Sequence, residues 1–286
     1  IQLAGIELKN SLEVVDVLMD VPSLDDTMPD NERLTRALRK YLNINRVRIP
    51  YVVLKKLPDV LRENNFAVKC VIRATSDDMY VYDIFGKDED VIIGGLAIDI
   101  GTTTISMVLT EADTGKMIAK ETVEHRSFLK SAIPEQKIQD PERIYEIVTE
   151  LANRMEKEYG LPDGIGFTGQ MHGMLYVDAS GREVSPLYTW QDGSGELLLE
   201  NGESSVQLLK EVGAAASGYG IVTHFYLQKK GQIPKEAVKM TTISDYVAMR
   251  MCGNTCPVIG LDMAASWGCF DLEKQEFLCE QLKEAG

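Results

Sequence analysis

The sequence has no closely paired cysteines, no basic surplus and no long apolar run. Its five cysteines, Cys70, Cys252, Cys256, Cys269 and Cys279, are odd in number and scattered, with no Cys-x-x-Cys pair. Neither a disulfide framework nor a zinc or iron–sulfur site is signalled, and a reducing cytoplasm fits this usage best. Cys252 and Cys256 stand four apart near an expected helix end, with neither a histidine nor a third cysteine close by, and are expected to be buried thiols. Thirty Lys and Arg against 44 Asp and Glu leave a formal charge of −14 and a pI near 4.8. That balance argues against nucleic acid or an anionic membrane surface as the main partner, since either wants a basic face. No apolar run approaches about 18 residues and no basic-then-apolar leader opens the chain, so neither a membrane span nor a signal peptide is expected.

What is present is a soluble globular composition. With 286 residues, 44% of them hydrophobic and 26% charged, the chain is long enough for two domains with cores of their own. Leu12 to Val21 alternates as a strand that Pro22 ends. Asp30 or Asn31 is placed to cap a helix with Leu34, Ala37, Leu38, Tyr41 and Leu42 on one face. A second helix starts near Pro50 or Leu57 and ends before Asn64. Phe66 to Ala74 and Tyr80 to Ile84 read as strands joined by a turn at residues 76–78. Residues 1–91 thus form a small α+β unit without a histidine or chemical cluster, a docking or spacer domain rather than a catalytic one, and a protein partner for it stays open. The charged joint at Lys87 to Asp90 sets the boundary, and residues 92–286 form the second domain.

The second domain opens with two short apolar runs, Leu96 to Ile100 and Ile105 to Leu109, separated by Gly101 and three threonines. So short a link favours an antiparallel hairpin. Gly101 lets the backbone bend, and Thr102, Thr103 and Thr104 can bring amide N–H groups and hydroxyls to one point, which suits a phosphate. Asp99 at the strand end can face a hydrated Mg²⁺ beside that phosphate. An ordinary hairpin whose Asp and Thr side chains satisfy the turn is the alternative. The loop is not of the Walker type, for it has no Gly-Lys-Ser/Thr and no helix directly after it. Asp140 caps and Pro141 opens a helix bearing Ile144, Ile147, Val148, Leu151 and Met155, ended by Gly160 and Pro162. Ile165 to Phe167 is then expected as a buried strand.

Beyond that strand, Gly169-Gln170-Met171-His172-Gly173 sets an amide, a thioether and an imidazole in a glycine frame. Loops at strand ends are where α/β proteins hold ligands. A sugar needs such groups, because each buried hydroxyl left unpaired costs about 1–3 kcal/mol. His172 as a core histidine bonded to backbone is the alternative. Trp190, Gln191 and Asp192 add an indole face, an amide and a carboxylate, although Trp190 reads equally well as core. Asp245 reads as a cap or first-turn residue of a helix closed by Gly253, and His224 either reaches a cleft or packs a helix.

Asp-Ile-Gly-Thr-Thr-Thr at 99–104, with the Asp-Thr-Gly-Lys turn at 113–116, resembles the first phosphate loop of the actin-like ATPase and sugar-kinase superfamily. Gly166 to Gly173 and Thr189 to Asp192 resemble the amino-terminal domain of FGGY carbohydrate kinases, sedoheptulokinases above all. The likeness runs on through Phe128-Leu129, Ile138-Gln139-Asp140, Gly218-Tyr219-Gly220, Thr223-His224, Thr242 to Met249 and Ala264-Ala265-Ser266. It implies an α/β, ribonuclease-H-like domain behind the small α+β unit, using ATP and Mg²⁺ to phosphorylate a small-molecule ketose. By that resemblance Asp99 organises the metal, Gly101 to Thr104 approach the phosphates, and Gln170, Met171, His172, Trp190, Gln191 and Asp192 face the sugar. The family's general base and its second actin-like domain are expected beyond Gly286, so this chain alone is expected to be inactive. Val21 to Asp26, Asp30 to Leu34 and Leu57 to Glu63 resemble the segment preceding the ATPase domain in reductive activators of corrinoid proteins, which leaves an actin-like ATPase as the alternative.

Overall fold

The structure is a computed structural model that describes residues 12–42, 44–75, 77–112 and 114–286. Ser76 and Asp113, both expected in turns, and the side chain of Leu42 lie outside the described residues. The chain divides into two compact units, one running to Gly95 and taking in Thr110–Met117, the other made of Leu96–Leu109 and Ile118–Gly286.

The first unit runs β1 (Glu13–Leu18), α1 (Asp30–Leu42), β2 (Arg46–Arg48), α2 (Tyr51–Glu63), β3 (Ala67–Ala74) and β4 (Asp78–Gly86). Its sheet has the order β1-β3-β4-β2. Alternation in β1 turns Val15 and Val17 inward, opposite Cys70 and Val68 of β3. Leu34 and Leu38 of α1 and Val53, Leu57 and Leu61 of α2 close that core. Pro50 precedes the first turn of α2, where its missing N–H costs nothing. Tyr41, expected on the buried stripe of α1, is 55% exposed: it lies in the last turn, where the stripe ends in solvent. The strand β2, three residues with an arginine at each end, is too short and too charged to show in the sequence.

The second unit holds most of β5 (Gly94–Ile100), β6 (Thr104–Glu111) and β7 (Met117–Glu124), whose residues 94–95, 110–111 and 117 count with the first unit, and all of β8 (Ile138–Gln139), α3 (Pro141–Tyr159), β9 (Gly164–Gly169), β10 (Leu175–Val177) and β11 (Leu187–Tyr188). It continues through α4 (Ser205–Lys210), α5 (Gly220–Lys229), β12 (Lys239–Thr241), α6 (Ile243–Met251), α7 (Leu261–Ala265), β13 (Phe270–Asp271), β14 (Glu276–Phe277) and α8 (Cys279–Glu284). The main sheet has the order β7-β6-β5-β9. Leu96, Ile98 and Ile100 of β5 and Ile105, Met107 and Leu109 of β6 point to one face, where they meet the Ile144, Ile147, Val148, Leu151 and Met155 stripe of α3. The same period of two sends Asp99 to the other, exposed face. Asp140 accepts from the Arg143 amide at the head of α3, and Gly160 ends the helix with φ of 92°. A second core gathers α5, Leu209, Tyr176 and Trp267.

Two expectations are corrected here. Ile165 to Phe167 is not buried: β9 is the last strand in the sheet order, half its residues are glycine, and Ile165 is 43% exposed. Cys252 and Cys256 are exposed, as is Cys279, whereas Cys70 and Cys269 are buried. The helix α6 stops at Met251, which leaves Cys252 at its cap and Cys256 in the loop that follows, off the apolar stripe.

Candidate functional site

The loop between β5 and β6 is closed by the Gly101 amide, which donates to Thr104 O at 2.9 Å. Its carbonyls all point back into the protein. His125 Nε2 meets Gly101 O at 3.3 Å, Gln139 Nε2 donates to Thr102 O at 2.7 Å, and the His125 amide donates to Thr103 O at 3.2 Å. Among the described residues the amides of Thr102 and Thr103 have no acceptor. Carbonyls held inward and N–H groups left open make a concavity with the partial charge an anion seeks. His125, 1% exposed, also meets Ser127 Oγ through Nδ1 at 2.7 Å, and burial holds its pKa below the ordinary value. Neutral, the ring can donate to Gly101 O through Nε2 and accept from Ser127 through Nδ1.

The second set of expected residues reaches this loop. Gln170 follows β9, and its amide donates to Ile100 O at 2.8 Å, so the end of β9 meets the end of β5. Gln170 Nε2 donates to Gln139 Oε1 at 2.9 Å, and Gln139, fully buried, bonds the loop at Thr102. Gln170 Oε1 is buried without a partner among the described residues. Trp190 Nε1 donates to Thr102 Oγ1 at 2.9 Å while its ring stays 47% exposed. The indole is therefore not a core residue. Met171, next to Gln170 in sequence, is 48% exposed, and Gln191, next to Trp190, is exposed.

His172 is partly buried and takes φ of 69°, a left-handed conformation few side chains adopt. Three contacts hold it there. Its amide donates to Ser266 Oγ at 3.3 Å, its Nδ1 meets Ser266 O at 2.5 Å, and its ring stacks on Tyr219 at 4.4 Å with planes 7° apart. Since a carbonyl only accepts, Nδ1 carries the proton and Nε2 of the neutral ring is an acceptor. Gly173 has no room for a side chain, a Cβ standing 2.7 Å from Tyr188 O.

Asp192 stands apart from these residues in character. It is 1% exposed, and its carboxylate accepts from the Ser194 hydroxyl and from the amides of Ser194 at 3.2 Å and Lys137 at 3.3 Å. Burial raises its pKa against those bonds. Its oxygens brace the Trp190 loop. Asp245 falls in the first turn of α6 and accepts from Thr242 Oγ1 at 2.5 Å. His224 bonds Tyr176 at 2.7 Å and lines a separate apolar pocket with Phe225 and Trp267. Among the described residues no cluster of three His, Cys, Asp or Glu can hold a metal, and no helix is long and apolar enough to cross a membrane. Gln139 and Ser266 fall in stretches that carry the family resemblance, but their roles, like that of His125, have no local sequence signal, because each acts through a partner far along the chain.

Residues 95–286 match the N-terminal domain of the FGGY family of carbohydrate kinases, and residues 1–91 match the RACo linker region. Sedoheptulokinase of Mus musculus is 30% identical over 217 residues, a match covering 67% of this chain and 44% of that protein. Sedoheptulokinase of Homo sapiens is 31% identical over 219 residues, covering 67% and 45%. The chain thus spans less than half the length of these curated relatives. Gluconate kinase from Lactobacillus acidophilus aligns with a TM-score of 0.58 at 22% identity, covering 68% of this chain and 40% of that one. The fold is accordingly that of the sugar kinases, the actin-like, ribonuclease-H-like α/β type. With that match running from Gly95 to Gly286, well over half of its length, the chain belongs to the FGGY family of carbohydrate kinases.

Proposed function

We propose that this chain supplies the sugar-binding half of an ATP-dependent ketose kinase. The observation that carries the reading is the junction of the two expected sets: a loop with open amides at Thr102 and Thr103, touched directly by Trp190 and, through Gln139, by Gln170. Phosphoryl transfer works by placing an acceptor hydroxyl against a phosphate and neutralising charge, and needs such adjacency. Gln170 Oε1 is an acceptor without a partner among the described residues, which favours a ligand rich in hydroxyl donors, and His172 Nε2 adds a second acceptor when its ring is neutral. The exposed Trp190 ring offers the apolar face of a sugar its platform.

Asp99 is the carboxylate at the loop, with three threonine hydroxyls after it. That donor set fits Mg²⁺, which takes one or two carboxylates and completes its shell with phosphates and water. ATP, when bound, supplies the γ-phosphoryl group, with its phosphates toward residues 101–104. Asp192 and Asp245 are engaged in bonds of their own, so neither reads as a general base, and turnover by this chain alone should be negligible.

Calorimetric titration with sedoheptulose, xylulose and gluconate tests the reading. Sedoheptulose or xylulose should bind saturably and gluconate should not, and His172→Ala should weaken the bound ketose about tenfold, one hydrogen bond's worth. A folded chain that gives no heat with any of the three overturns the proposal. The match of residues 1–91 to the RACo linker region favours a second reading, an actin-like ATPase with a protein partner on that unit. It predicts nucleotide binding without sugar binding, so heat with ATP and none with any sugar favours it over the first reading.

A further inference from the structure

Neither the fold nor the proposed site makes use of the contact between Lys239 and Cys256. Lys239 begins β12, opposite Val177 of β10, and Cys256 lies in the loop between α6 and α7. Both residues are exposed. Lys239 Nζ stands 2.7 Å from Cys256 Sγ. That is the short limit of an N–H···O hydrogen bond, about 2.7 Å, although sulfur is the larger atom. Among the described residues Lys239 forms no ion pair, and the further polar neighbour of the thiol is Pro257 O at 3.8 Å. Two single bonds meeting at one bent oxygen hold nitrogen and sulfur at about this spacing. The side chains are thus already placed for a bridging atom.

We propose that Lys239 and Cys256 are a covalent modification site, joined under oxidising conditions by an oxygen bridge, Nζ–O–Sγ. Dioxygen balances the step. The S–H bond and one N–H bond break, one oxygen atom enters the bridge, and the other leaves with both hydrogens as water. Sulfur and nitrogen each give up two electrons, and dioxygen takes all four. Two equivalents of hydrogen peroxide do the same and release three waters. Cysteine oxidation of this kind begins at an accessible thiol, which Cys256 has and the buried Cys70 and Cys269 lack. The bridge has a defined reach. The strand β10 starts two residues after Gly173, and α7 ends one residue before Ser266, so the crosslink fixes the outer ends of both segments that meet at His172.

Tryptic mapping of the intact chain after peroxide treatment tests this. A bridged Lys239 blocks cleavage, so the peptide 236–250 should appear joined to 251–274. The joined mass should exceed the sum of the two peptides by one oxygen less two hydrogens, about 14 Da, and dithiothreitol should separate them. Cys256→Ser and Lys239→Arg should each abolish the joined species, and Cys252→Ser should leave it. Sulfenic or sulfonic acid on Cys256 with normal cleavage after Lys239 overturns the proposal. A disulfide between Cys252 and Cys256 in place of the crosslink, or a crosslink that survives Cys256→Ser, does so as well.

Discussion

Gln139 shows how one side chain can serve two segments. Its amide nitrogen satisfies Thr102 O in a partly buried bond, and its amide oxygen receives Gln170 Nε2 in a buried one. Gln139→Leu keeps the bulk and strands both partners, a loss of about 2–4 kcal/mol by the usual cost of unpaired buried groups, measurable as a lower urea midpoint with unchanged slope. His125 makes a prediction in pH. Burial lowers its pKa below 6.5, so the unfolded chain takes up a proton before the folded one does. The stability conferred by the neutral ring is full above pH 6.5 and falls as the pH drops through the lowered folded value. His224, also lowered by burial, adds a contribution of the same sign. Urea melts from pH 6.5 down to about 5 should therefore show falling stability, with a shallower fall in His125→Asn.

At the scale of elements, connections matter more than the strands and helices they join. Gly218 precedes α5 with φ of 81°, and a Cβ there would stand 1.8 Å from Trp190 O. Both faults strike Gly218→Ala at once, so a cost of about 2–4 kcal/mol is expected, together with a changed Trp190 fluorescence as the loop is displaced. The elements themselves were legible where the signal is local. Asp140, Pro141 and five apolar residues at 3–4 spacing describe α3 from cap to stripe, and the alternation of Leu96, Ile98 and Ile100 describes β5 and puts Asp99 outside. What surrounds His172 was not legible. Ser266 lies 94 residues further on, and no window short enough to show a period contains both. The exposure of Cys252 and Cys256 was misread for another reason: the expectation rested on the usual burial of thiols that lack metal-binding neighbours, and that tendency does not hold for residues at and beyond the end of α6.

At the scale of the molecule, each unit carries its own core, and the cysteines divide between inside and outside accordingly. Burial pushes the Cys70 thiol up to about 12, with Asp83 adding to it, and raises Cys269 by burial too. Iodoacetamide should thus label Cys252, Cys256 and Cys279 in the reduced native chain and spare Cys70 and Cys269 until the chain unfolds. Labelling of Cys70 at the rate of Cys279 would mean that the first unit opens readily. The amide relay from Gln170 to Thr102 has a polarity that reaches beyond stability. Its protons run one way, from Gln170 to Gln139 and from Gln139 to the loop carbonyl, and the end left over, the Gln170 Oε1 oxygen, has lone pairs and no proton. A molecule meeting that end has to bring a hydrogen of its own: a free alcohol qualifies, while its methyl ether or a keto group at the same carbon is turned away by the sense of the chain rather than by its size.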